Sequence, residues 1–437
     1  MFLILLLLYK IVLFKIYCTF KGKIVILFQE NNQGKVSSKE IARGSNETVI
    51  LVGSYGGRRV AVKRLVLKNS NVGAKEQKAY LKVDNLKNIV RYYGKENDKE
   101  FVYLFLELCT CSLDDLIRIY SPTFQQNACL AGERKRFKSV KKIVGDDVIL
   151  WKENGYPSPL LLKLMRDVVC GLMNLHENKI VHRNLTPRNI LIAGETPLCA
   201  KLSDMAMSKQ FRRDNSSSSH HGTNGKQLRF EGEAAEDLFR LGCVLSFCIN
   251  GGRYPFDNPP EHQTNISNHS PPEAVDLICQ LLSPSTNMRP KTIDVYRHPL
   301  FWDSNKKLSF LRETSDLVDA NRKSELSKEL KKIKGQVMGS NWKTKIDSVY
   351  INYIEGCPRR YYYNNFLELL RLVRNHLSHY QTLPEEIQEL LGPMPEGYYD
   401  YFAQRFPKLL IEVYKVVYKF CKEEECFQKY FNGNNVE

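Results

Sequence analysis

The chain has no paired Cys-x-x-Cys: 12 cysteines are scattered over 437 residues, and the tightest spacing is Cys109-Thr110-Cys111. Zinc fingers and disulfide scaffolds are therefore disfavoured, and a reducing compartment is expected. No internal repeat is apparent, and low complexity is confined to Ser216 to His221, a serine-histidine run that reads as a mobile loop. Acidic residues are in deficit, 48 against 64 basic, which leaves a net charge of +16 and favours a polyanionic partner. Hydrophobic residues make up 43%, too many for a disordered chain. The length suits two to three domains.

Long apolar runs are also scarce, with one exception at the start. Phe2 to Phe20 reads FLILLLLYKIVLFKIYCTF, about long enough as a helix to cross a bilayer core. Lys10 near its middle costs roughly 2.5 to 3.5 kcal/mol, whereas Lys15 can snorkel toward Lys21 and Lys23. Residues 1–36 are thus expected to be a membrane anchor, with the lysine bias placing the rest of the chain in the cytosol. The competing reading is a cleaved signal peptide or an atypical start, although no A-x-A-like site comes after it.

Residues 39 to 110 alternate β-rich runs (ETVILVG, RRVAVKRLV, EFVYLFLEL) with a polar helical stretch at Ala74 to Val83, which suggests a small sheet carrying a helix. From Ser112 to Trp302 the apolar spacing is helical, broken by the basic insert Glu133 to Lys142, expected to be a solvated loop. Beyond HPLFW the amphipathic runs continue with no strand-like alternation, so a further, all-helical unit is expected. The predicted domains are 37–303, 304–432 and a tail at 433–437.

Val60-Ala61-Val62-Lys63, Glu76, His182-Arg183-Asn184, Asn189 and Asp204-Met205-Ala206 occur in the order and at about the spacing of the protein-kinase signatures. The resemblance implies that Lys63 holds nucleotide phosphates and pairs with Glu76, and that Asn189 and Asp204 hold Mg²⁺ under ATP or ADP. Ile41, Gly44, Val49, Glu107 and Cys109 complete the implied nucleotide site, with Leu106 to Cys109 resembling the adenine-reading hinge. Four departures oppose phosphoryl transfer. Asn184 stands at the position of the catalytic base, where an amide cannot accept the hydroxyl proton as a carboxylate does. Thr186 replaces a lysine. The glycine-rich loop retains only Gly44, with Glu47 where phosphate would approach. No A-P-E comes after Asp204, which leaves Arg289 without the usual glutamate.

A kinase-like domain running through HPLFW into SFLRETSD and ending in helices resembles the inositol-requiring kinase/endoribonuclease family, the endoplasmic-reticulum stress transducers. Plant members are most similar, through KEIARGSN, LELCTCSLDDLI, IVHRNLTPRNILI and LPEEIQELLGPMPEGYYDYFAQRFPKLL. The fold class implied is α+β: a bilobal protein-kinase-like fold, degenerate in its motifs, followed by an all-α nuclease domain. Members carry a lumenal sensor before the membrane span, and sensing by that route is not expected here.

In the run FLELLRLVRNHLSHY, Phe366, Leu369 or Leu370, Val373 and Leu377 form one apolar stripe, and Asn375 and His379 lie a turn apart on the remaining face. Arg371 and Arg374 lie beside them, and Arg359-Arg360-Tyr361 precedes the helix. Such a cluster offers an imidazole, a phenol, a guanidinium and an amide, the parts RNA cleavage without a metal needs. The resemblance implies Tyr361 as base, His379 as general acid, and Arg374 with Asn375 as the phosphate-positioning pair. His376 is expected at the surface or in a subunit contact. Tyr361, Tyr362 and Tyr363 read equally as base-stacking platforms or as partial core. The implied partners are stem-loop mRNA and a second family chain, as homodimer or heterodimer. The implied location is the endoplasmic reticulum membrane, otherwise the cytoplasm. The competing functional readings are a silent partner that modulates intact members and an active serine/threonine kinase, which Asn184 disfavours.

Overall fold

The computed structural model describes residues 34–431, apart from 45–46, 67–69, 84–85, 123–130, 195–196, 206–207, 211–219 and 255–269. The expected anchor at Phe2 to Phe20, Ala206, Ser216 to Ser219 and the tail lie outside the described residues; His220 and His221 belong to a helix. Among the described residues no helix is long and apolar enough to cross a membrane.

The first lobe contains β1 (Gly34–Arg43), β2 (Val49–Tyr55), β3 (Arg58–Val66), α1 (Ser70–Val83), β4 (Tyr92–Asn97) and β5 (Phe101–Glu107). The strands form one antiparallel sheet in the order β1-β2-β3-β5-β4. Alternation in RRVAVKRLV sends Val60 and Val62 into the core with Val49, Leu51 and Phe105. The register sets Lys63 opposite Ile50 on one side and Leu104 on the other, so its stem is walled by apolar strands.

The second lobe opens with β6 (Cys111–Ser112) and α2 (Leu113–Tyr120), which starts with a capping box between Ser112 and Asp115. Next come α3 (Ala131–Val144), α4 (Pro159–Glu177), β7 (Ile180–Val181), β8 (Ile190–Ala193), β9 (Cys199–Leu202), β10 (Lys209–Gln210), α5 (His220–Ile249), α6 (Pro272–Leu281) and α7 (Thr292–Tyr296). The basic insert expected as a loop is in fact α3. Phe137 and Val140 are buried and Val144 packs beside them, an i, i+3, i+7 stripe outnumbered by its cations. Arg136 on this helix pairs with Asp115.

The remaining elements are all helical: α8 (Ser304–Ala320), α9 (Glu325–Lys332), α10 (Lys334–Val337), α11 (Ser348–Gly356), α12 (Phe366–Ser378), α13 (Glu385–Leu391), α14 (Glu396–Arg405), α15 (Leu409–Cys421) and α16 (Glu425–Phe431). This is the expected α+β arrangement, a bilobal kinase fold followed by a helical domain. On α12 the residues Phe366, Leu369, Leu370, Leu372 and Val373 are buried, each contributing roughly 1.5 to 3 kcal/mol relative to exposure.

The helical domain is fixed to the lobe beneath it. Asp276 on α6 lies 2.8 Å from Lys415 on α15 and 3.3 Å from His298. Arg297 donates to the Phe431 carbonyl at 2.6 Å, and Lys152 lies 3.4 Å from Asp400. Trp302, the residue after the lobe's last core position Phe301, sits in a ring cluster with Phe310, Tyr414 and Tyr430 and so belongs to the helical domain's core.

Candidate functional site

The structure brings the kinase-signature residues into one cleft. Lys63 Nζ lies 2.8 Å from Glu76 on α1 and 2.7 Å from Asp204. Burial alone would lower the Lys63 pKa, but the flanking Glu76 and Asp204 carboxylates hold it above its ordinary value. Burial would likewise raise Asp204, yet the Lys63 ammonium and the Asn184 amide keep it below the usual carboxylate range. Asn184 donates Nδ2 to Asp204 Oδ2 at 2.8 Å, and Asn189 donates Nδ2 to the Asn184 carbonyl at 2.8 Å.

The loop carrying Asn184 is fixed from below. Asp237 on α5 is fully buried and accepts from the backbone N–H of His182 and of Arg183, each at 2.7 Å, and lies 3.1 Å from His176 Nε2. This holds Arg183 in left-handed backbone, at φ 66°, and Asp204 is left-handed as well, at φ 61°. Arg289, expected to lack its glutamate, donates to the carbonyls of Ala235 and Ser283 and covers the Phe239 ring.

Around the mouth, Ile41 on β1 is exposed, Gly44 closes the turn through its N–H to the Thr48 carbonyl, and Val49 is buried. Glu47 holds φ 58°, a conformation that favours the glycine expected there. At the hinge the Glu107 carboxylate accepts from Lys201 and from the Arg91 N–H, and Cys109 is half-buried beyond it. The implied Mg²⁺ ligands are Asn189 and Asp204, and both Asp204 oxygens already have protein partners, Lys63 and Asn184, with which a cation would have to compete.

The nuclease-like residues form a second constellation. Tyr361 is buried, and its hydroxyl oxygen accepts from Asn375 Nδ2 at 2.9 Å. Asn375 Oδ1 in turn accepts from Arg374 Nε at 3.2 Å and Nη2 at 3.0 Å. His379 caps α12, donating its backbone N–H to the Asn375 carbonyl at 3.1 Å, and its side chain is exposed. Phenol, amide, guanidinium and imidazole therefore lie along one end of α12.

Three features escaped the sequence. Asp316 and Asp319 on α8 reach Arg374 Nη1 at 3.1 and 2.7 Å; their signal was an acidic i, i+3 pair on a helix that packs against α12. Arg371 covers the Tyr361 ring at 5.2 Å and donates to the Arg360 carbonyl. His376, expected at the surface or in a subunit contact, is buried and shares a hydrogen bond with the Tyr350 hydroxyl, and burial together with the His379 charge pushes it down to about 4. In the tyrosine triplet only Tyr362 is largely exposed; Tyr363 packs edge-on to Trp342 and donates to Glu355 at 3.0 Å.

Comparison with known families covers nearly the whole chain. The family model described as Protein kinase domain matches residues 36–301, and that described as Ribonuclease 2-5A matches residues 307–431. Serine/threonine-protein kinase/endoribonuclease IRE1b of Arabidopsis thaliana is 46% identical, over 90% of this chain and 47% of its own length. IRE1a of the same plant is 45% identical, over 91% of this chain and 50% of its own length. A third Arabidopsis protein, Inactive serine/threonine-protein kinase/endoribonuclease IRE1-like, is 38% identical over 94% of this chain and 80% of its own length. The chain thus spans about half the length of the first two relatives.

Proposed function

The chain belongs to the IRE1 family of kinase/endoribonucleases, and from that premise we propose that it cleaves RNA stem-loops through the α12 face, its kinase-like domain serving as a nucleotide-binding and dimerisation platform. The observation that carries this reading is the unbroken hydrogen-bonded chain Tyr361-Asn375-Arg374 beside an exposed His379. In-line attack by a ribose 2′-OH forms the 2′-O–P bond and breaks the P–O5′ bond. The Tyr361 oxygen, deprotonated, takes the 2′-OH proton, and His379 delivers one to the leaving 5′-oxygen. Arg374 and Asn375 hold the phosphorane charge, and the products are a 2′,3′-cyclic phosphate and a 5′-hydroxyl. These groups supply both proton transfers, so the step requires no metal ion. RNA phosphate competes with Asp316 and Asp319 for Arg374, and an unpaired loop reaches the in-line geometry at lower cost than A-form duplex.

The unfolded-protein response is the setting this reading implies, with residence at the endoplasmic reticulum membrane and a cytosolic catalytic region. A relative in Schizosaccharomyces pombe, 30% identical over 91% of this chain, is named Sensor for unfolded proteins in the ER ire1. A silent partner for intact members is the second reading, supported by Asn184, Thr186 and Glu47 and by the inactive relative's name.

The test is incubation of the purified dimer with a stem-loop RNA in EDTA. Cleavage to a cyclic phosphate is expected, and His379→Ala should reduce it by about 10² or more while leaving the fold intact. Cleavage that survives His379→Ala, or that leaves a 3′-hydroxyl, contradicts the assigned roles. No cleavage by a folded dimer moves the weight to the silent partner.

A further inference from the structure

The Asp204 carboxylate is satisfied from within the chain. Its Oδ1 faces Lys63 Nζ at 2.7 Å and its Oδ2 accepts the Asn184 amide at 2.8 Å. The amide can make that bond because it carries donors. A carboxylate at position 184, with acceptors only, would set two like charges face to face, an arrangement that calls for a cation or a proton between them. Asn184 turns that demand into a hydrogen bond. The backbone beneath it is fixed, because the Asn189 amide grips the Asn184 main-chain carbonyl at 2.8 Å and Asp237 anchors the two residues before it.

The charge arithmetic points the same way. Lys63, Glu76 and Asp204 together carry one net negative charge, whereas a carboxylate at 184 would make two. The attraction for a divalent cation is roughly halved. A cation must also compete with Lys63 and Asn184 for the Asp204 oxygens, and Mg²⁺ tolerates little departure from octahedral geometry.

We propose that Asn184 closes the Asp204 position to a divalent cation, so that this cleft takes adenine nucleotide in metal-free form, as a diphosphate in preference to a triphosphate. The preference comes from charge: with no cation to neutralise it, each added phosphate meets Asp204 and, at the loop, Glu47. The proposal rests on the reading of the kinase-like domain as a nucleotide-binding platform.

The experiment is titration of the full chain with fluorescent ADP and ATP, in EDTA and in millimolar Mg²⁺, with bound Mn²⁺ monitored by electron paramagnetic resonance in parallel. Expected for the native chain are ADP affinities within about two-fold of each other in the two buffers, weaker ATP binding, and no Mn²⁺ held with ADP. Asn184→Asp should make ADP binding at least ten-fold tighter in Mg²⁺ than in EDTA and should hold Mn²⁺. Asn184→Ala, which removes the donor without adding charge, should show the same trend at several-fold, and decides the matter if the aspartate variant does not fold. Ten-fold tighter binding of the native chain in Mg²⁺, or Mn²⁺ bound with ADP, overturns the metal-free site and leaves the platform reading standing. Absence of ADP binding in both buffers overturns both.

Discussion

Tyr361→Phe removes one oxygen and little else. The ring keeps its place, since Tyr361 is buried edge-on to Trp342 and under the Arg371 guanidinium. The loss is one hydrogen bond from Asn375 Nδ2, at 2.9 Å, worth about 0.5 to 1.5 kcal/mol of stability. Asn375 itself stays oriented, because Arg374 still donates twice to its Oδ1. If the same oxygen accepts the 2′-OH proton, its removal should cost about 10² or more in the chemical step, roughly 2.7 kcal/mol or more in activation free energy. The two effects separate cleanly: a shift of a few degrees at most in the thermal midpoint against a hundred-fold loss in single-turnover cleavage, with RNA affinity near native. The assay is single-turnover cleavage of a hairpin RNA at saturating enzyme, alongside a thermal melt of the same preparation. A rate loss under about five-fold, or one matched by a loss of RNA affinity, would refute the assignment and leave Tyr361 as a packing residue that happens to hold Asn375.

Arg374→Ala should weaken RNA binding and turnover together, because it strips Asn375 of both donors and leaves Asp316 and Asp319 facing the RNA; Arg374→Lys should not rescue, since an ammonium lacks the planar fork. Filter binding with single-turnover rates checks this, and unchanged affinity in Arg374→Ala would contradict it. His376 carries a pH signature: it titrates at about 4 in the fold against about 6.5 unfolded, so the unfolded chain takes up its proton first. Its contribution is complete above about pH 6.5 and drains away as the pH falls toward 4, at most about 3 kcal/mol over that span. Urea midpoints at pH 7.5 and pH 5 should therefore fall further for the native chain than for His376→Gln, and equal falls would sink the idea.

The residues made legible whatever repeats locally or keeps a fixed order. Lys63, Glu76, Asn189 and Asp204 were found by order; the structure gathers Glu76 and Asp204 around the Lys63 ammonium and ties Asn189 to the Asn184 carbonyl beside them. The α12 stripe was found by period: Phe366, Leu369, Leu370 and Val373 are buried and Leu377 is half-buried. The misses share a physical origin. In α3 the cations outnumber Phe137, Val140 and Val144, and average polarity masked the stripe that makes it a packed helix. His376 looked exposed because nothing near it in sequence announces Tyr350, 26 residues upstream. The grip of Asp316 and Asp319 on Arg374 and the bond from Asn184 to Asp204 are side-chain meetings across long separations, settled only once the helices are packed.

Helix α8 begins at the floor of the kinase lobe and ends at the nuclease face. Near its start Lys307 lies over the Tyr399 ring at 4.8 Å, and in its middle Glu313 engages Lys429 at 2.6 Å and Tyr430 at 3.0 Å. At its far end Asp316 and Asp319 hold Arg374. About 18 Å of continuous helix separates Lys307 from Asp319. All of these partners belong to the helical domain, so α8 is a strut tied along its length to α14, α16 and α12, and the carboxylates that aim Arg374 stand on a rod that cannot shift without disturbing the other two contacts.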